Sequence, residues 1–143
     1  MVVHFPIALL LLGLLLSALA IRRPDDPFYD RAAYGALLLG WWAALAALLT
    51  GTIDVALNWP LPEGTVAWIN AHAASGILLL IVYFIALQRR RRNPRILHGP
   101  GRNAYLGLLV AGALLVVFSG WAGGVLVHTL GFGISNGEWR MEN

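Results

Sequence analysis

The chain has 143 residues, of which 59% are hydrophobic and only 12% charged, with a mean hydropathy of +0.71. A soluble domain needs more surface charge than this, so the balance points to a single membrane-embedded domain. The absence of cysteine excludes disulfides, thiolate chemistry, iron–sulfur ligation and haem attachment through CxxCH, and the formal charge of +3 matters less than where the charges fall.

Four apolar stretches are long enough to cross a bilayer, which takes roughly 20 helical residues. The first, Phe5 to Ile21, has no Lys or Arg before it and Arg22-Arg23 after it. A signal peptide has the opposite flanks, so this segment is expected to be a retained helix. The loop "RRPDDPFYDR" leads to a second span from Ala33 to Thr52. "DVALNWPLPEGT" leads to a third from Val66 to Gln88, and "RRRRNPRILHGPGRN" to a fourth from Ala104 to Val127. Such Pro-, Gly-, Asn- and Asp-rich connections break helices. Being short, they favour antiparallel neighbours. The predicted fold is all-α: an integral membrane four-helix up-down bundle.

The arginines orient it. Arg22, Arg23 and Arg31 lie in the first loop, and Arg89, Arg90, Arg91, Arg92, Arg95 and Arg102 lie around the third; Arg140 alone lies on the other side. Positive loops stay cytoplasmic, which puts both termini on the periplasmic side of a bacterial inner membrane. The arginine run reads as a topology signal, with contact to anionic lipid headgroups as its by-product. Trp59, Trp68 and Trp139 are expected at the outer interface, and Tyr34 and Tyr105 at the inner one. Of Trp41 and Trp42, in the middle of the second span, one is expected to face the bundle and the other lipid or a partner.

This threading gathers ionisable groups that no linear motif connects. His4 opens the first helix, Asp54 follows the second, His72 lies about two turns into the third, and His128 ends the fourth, all at the outer end. His98 alone falls in the arginine-rich loop. His72 carries most weight, because an ionisable group within a span must face the interior and find a partner. Ser75 and Gly76 share its face. The fourth helix has a thin patch at the same depth, "SGWAGG", with Gly120, Gly123 and Gly124, and the second has Gly51 near its outer end. Small residues let helices pack tightly and also leave room for a flat cofactor.

Two imidazoles on different helices beside small residues match the protein's part in a b-type haem site. The candidate axial pairs are His72 with His4 and His72 with His128, with Trp59, Trp68, Asn58 and Asn70 near the propionates. Plainer readings stand beside this one. A helix-end histidine serves as an interfacial polar group, His72 as a tie to a neighbouring helix, and Gly120 to Gly124 as a packing face. Asp54 either caps the loop or orients a histidine. Three histidines and one aspartate also suit zinc or copper. No HExxH, P-loop or GxSxG is present, nor a paired carboxylate within a span, and no intramembrane acid or arginine suggests an ion path. The expectation is therefore a non-enzymatic electron carrier in a respiratory or photosynthetic complex. The alternatives are a cofactor-free structural subunit and a periplasmic metal-binding protein. Lipids and sister subunits are the expected partners, and no nucleic acid. The polar tail "GISNGEWRMEN" is expected either to dock on a partner or to fray.

"VHFPIALLLL", "LLTGTIDVA", "NAHAASGILLL" and "SGWAGGVLVHTLGFGI" occur in this order across essentially the whole chain. Together they resemble the small bacterial membrane proteins grouped as domain of unknown function 2231. The resemblance implies a four-helix arrangement with a His-Pro-type opening, a Gly-x-x-Asp step and a histidine on the third helix, matched here by His4, Pro6, Gly51, Asp54 and His72. The family pattern carries an aromatic residue where this chain has His128, which favours the His4/His72 pair. Related domains beside Rieske-type redox modules imply electron transfer near the outer membrane face, by analogy.

Overall fold

The computed structural model describes residues 4–61 and 64–131. Glu63, Glu138, Trp139, Arg140, Glu142 and the tail from Gly133 onward lie outside the described residues. Helix α1 is His4–Arg22, α2 is Pro27–Leu57, α3 is Thr65–Arg92 and α4 is Arg102–Gly124. All four helices are long and apolar enough to cross a membrane, and no strand occurs among the described residues. They alternate in direction, giving the chain an end marked by histidines and an end marked by arginines.

Three helix boundaries have a clear local cause. At the start of α2 the Asp26 carboxylate accepts a hydrogen bond from the Phe28 N–H at 2.9 Å, with Pro27 in the first turn. At the start of α4 Gly101 takes a φ of 98°, a left-handed conformation that suits glycine. Asn93 caps α3 ahead of Pro94, which cannot continue the helix. With 31 residues, α2 is about 46 Å long, more than the hydrocarbon thickness of about 30 Å. Helices therefore run past the apolar spans. A helix continues wherever its backbone hydrogen bonds are met, whether or not the side chains are apolar.

Helices α1 and α2 form one tight pair, and α3 and α4 another. In the first pair the contact is reciprocal. A Cβ on Gly13 would lie 2.5 Å from Leu37 Cδ2, and one on Gly40 would lie 2.8 Å from Leu10 Cδ2. In the second, a Cβ on Gly112 would lie 2.6 Å from Tyr83 Cε2. Glycine thus admits a large side chain at each crossing. The Trp41 indole N–H donates to the Leu80 carbonyl at 2.9 Å and ties α2 to α3. Trp41 is the bundle-facing tryptophan, while Trp42 is 57% exposed.

The core is weighted toward the arginine end, where Leu37, Tyr83, Leu97, Tyr105 and Leu109 are fully buried. The loop between α3 and α4 turns inward through a short 3₁₀ turn, Ile96–His98, and its Ile96 and Leu97 close that end. Only 17–28% of each apolar window is buried, so the outer faces are left for lipid. Tyr105 departs from the expected inner belt: it is buried in the core.

One member of the arginine run has a structural contact as well. Arg90 is 4% exposed and forms an ion pair with Asp30 of α2. Its Nη2 also donates to the Asp30 carbonyl at 3.2 Å, and its guanidinium lies 5.8 Å from the centre of the Tyr105 ring. Asp30 and Arg90 both lie just outside the expected spans, so the pair is a buried tie at the end of the bundle. The buried positions Ser75, Leu79, Tyr83, Ala86 and Leu87 continue in helical phase to Arg90, which carries its side chain inward.

Candidate functional site

At the histidine end the packing thins. Small residues dominate the facing segments of α3 (Ala71, Ala73, Ala74, Gly76) and α4 (Gly120, Gly123, Gly124). His72 is half-buried, and its ring lies across the α3–α4 interface. A Cβ on Gly123 would lie 3.2 Å from His72 Cε1, so an ordinary residue there would crowd the imidazole. His72 Nδ1 is 2.9 Å from the Ser119 carbonyl. A carbonyl only accepts, so in this bond Nδ1 carries the proton. In the neutral ring Nε2 then keeps its lone pair. Ligand histidines are commonly oriented in this way, with the other ring nitrogen donating to a backbone carbonyl.

His4 opens α1 at the same end of the bundle. A Cβ on Gly120 would lie 3.6 Å from Ile7 Cδ1, so α1 meets α4 at that level. His4 is one turn further out on the face of Ile7. On the antiparallel α4, one turn further out from Gly120 is Gly123, where His72 packs. By helical register His4 and His72 lie at similar depths, but only His72 has a contact with the α4 glycines. His4 itself is exposed. His128 lies at the same end, exposed, in a π-helical turn (Val125–Thr129) that continues α4. There the Leu130 N–H donates to the Val125 carbonyl at 3.1 Å, five residues back.

The remaining candidates separate. Gly76 faces α2, with its Cβ position 3.9 Å from Leu48 Cδ1, while the Cβ positions of Gly51 and Gly124 meet nothing within 4 Å. Asp54 is engaged on its own helix: Asn58 Nδ2 donates to its carboxylate at 3.1 Å and to its carbonyl at 2.8 Å. That is the loop-capping role and not a bond to histidine. Trp68 packs edge-to-face on Trp121 with ring centres 5.3 Å apart, next to His72, and Trp59 is exposed. Among the described residues no three His, Asp or Glu side chains gather as a metal site. His98 lies in the arginine-rich loop, apart from the others.

Sequence reasoning missed Ser119, whose carbonyl lies 2.9 Å and whose hydroxyl lies 3.4 Å from His72 Nδ1. It also missed the Asp30–Arg90 pair, which the helical phase of α3 could have revealed.

Four long apolar helices, alternating in direction and largely apolar on the outside, define a small four-helix membrane bundle. The family model described as "Predicted membrane protein (DUF2231)" matches residues 1–136. The chain belongs to that family and is a membrane protein. No curated protein and no solved structure matches it significantly.

Proposed function

We propose that this chain is a small multi-pass subunit of the bacterial inner membrane that holds one b-type haem near the periplasmic face. In this reading it passes electrons within a larger respiratory or photosynthetic complex. The observation that supports the reading is His72 packed on Gly123 with its Nε2 left as a lone-pair donor by the Nδ1–H bond to Ser119, at the end of the bundle where His4 opens α1. The haem, when bound, supplies reversible one-electron exchange at its iron. His72 and His4 would hold its iron through their ring nitrogens. The Ser119 carbonyl fixes the His72 ring, and Gly123 leaves room for it on α4. Both termini lie on the periplasmic side, because the arginine end is cytoplasmic.

The test is a reduced-minus-oxidised optical spectrum of the full chain purified from a haem-replete host. A b-type spectrum is expected, lost in His72→Ala and His4→Ala and retained in His128→Ala. A wild-type spectrum without haem absorbance overturns the proposal. The His72–Ser119 bond also supports a second reading, a cofactor-free subunit in which His72 ties α3 to α4. There His72→Ala lowers the unfolding temperature and disrupts assembly while no spectrum exists to lose.

A further inference from the structure

The arginine end carries a groove that neither the haem reading nor the family accounts for. It has a volume of about 390 Å³ and runs between the first turns of α2 and the last turns of α3. Asp30, Arg31, Tyr34, Gly35, Arg90 and Arg91 contribute to its walls. Three arginines and one aspartate contribute to the walls, an excess of two positive charges. Arg90 is held by Asp30, and its Nη1 is a buried donor without an acceptor among the described residues. Arg31 and Arg91 are exposed and have no ion-pair partner among the described residues. Deeper along α2 the wall becomes apolar at Tyr34 and Gly35, and the space above Gly35 is open, since a Cβ there would meet nothing within 4 Å.

We infer that this groove binds the phosphate ester of an anionic lipid. The charges match a phosphate, which accepts several hydrogen bonds from guanidinium groups. The location selects the lipid. The groove opens where the apolar spans meet the arginine loops, so a headgroup lies against Arg31 and Arg91 while the start of its acyl chains runs over Tyr34 and Gly35. The arginine pair at Asp30 makes the site specific, because it fixes the positive wall in place. A loose run of arginines would give only diffuse attraction.

The experiment uses the full chain in neutral detergent and follows its unfolding temperature, which a ligand of the folded state raises. Short-chain phosphatidylglycerol, phosphatidylcholine and inorganic phosphate are titrated separately. Phosphatidylglycerol is expected to raise the temperature saturably and the other two to have little effect. Arg31→Gln/Arg91→Gln is expected to weaken the apparent affinity about tenfold or more. Arg92→Gln/Arg95→Gln removes the same charge from exposed positions outside these walls and should leave the affinity within about twofold. Gly35→Leu, whose side chain enters open space, should abolish the shift while the ligand-free protein unfolds normally. An equal shift with inorganic phosphate alone overturns the lipid assignment, and an equal shift with phosphatidylcholine overturns the requirement for net negative charge. Equal losses in the two double-arginine variants reduce the site to diffuse charge and also overturn the inference.

Discussion

Asp30→Asn removes the carboxylate from the pair that joins α2 to α3 and leaves the Arg90 guanidinium, 4% exposed, without its countercharge. Breaking a fully buried pair in this way costs about 3–5 kcal/mol. Two features reduce that figure here. The Asp30 side chain is 31% exposed, so water reaches its side of the pair. Arg90 also keeps its bond to the Asp30 carbonyl and its contact with the Tyr105 ring. The expected cost is therefore about 2–3 kcal/mol. Arg90→Met is the informative counterpart. It keeps the apolar stem and leaves only a carboxylate that water can reach, so the expected loss is about 1 kcal/mol. The double variant, with neither charge, should be more stable than Asp30→Asn alone. Denaturant or thermal unfolding of the four proteins in one detergent supplies the cycle. The reasoning fails if Arg90→Met costs as much as Asp30→Asn, or if the two losses simply add.

Two further outcomes follow from the helix contacts. Gly112→Ala puts a methyl group 2.6 Å from Tyr83 Cε2 and should cost about 1–3 kcal/mol, partly recovered by adding Tyr83→Val, whereas Gly35→Ala meets no atom within 4 Å and should gain up to about 1 kcal/mol from helix propensity. Unfolding temperatures in detergent check both, and equal effects at the two glycines contradict the contact geometry. Trp41→Phe deletes the indole donor to the Leu80 carbonyl and should cost about 0.5–1.5 kcal/mol, while Trp42→Phe, on the outer face, should cost less in the same assay.

Much of the fold was legible because bilayer crossing imposes a length and a polarity on each segment, and both are written locally in the chain. The four spans, their short connections and the bundle class follow from that alone. Helix ends were less legible. Nothing in the apolar pattern tells α2 to continue from Thr52 to Leu57, or α4 to widen into a π-turn at His128. His72 could be singled out because an imidazole within a span is costly. Its partner could not, because the Ser119 carbonyl is a backbone group that every residue possesses. Arg90 illustrates the opposite error. Counted with its neighbours it looks like one more cytoplasmic charge, yet one helical turn beyond Ala86 and Leu87 it points into the core.

By itself, then, the sequence determined which segments cross the membrane, that they alternate in direction, and which ends carry histidine and arginine, since these depend on hydropathy and charge along a single helix. Only the tertiary structure decided that Tyr83 fills the notch at Gly112, that His72 lies on Gly123 with Nδ1 bound to Ser119, and that Arg90 is drawn inward to Asp30. Those outcomes depend on the rotation of each helix about its axis and on the depth at which two helices meet. Both are set by side chains from separate parts of the chain competing for the same space.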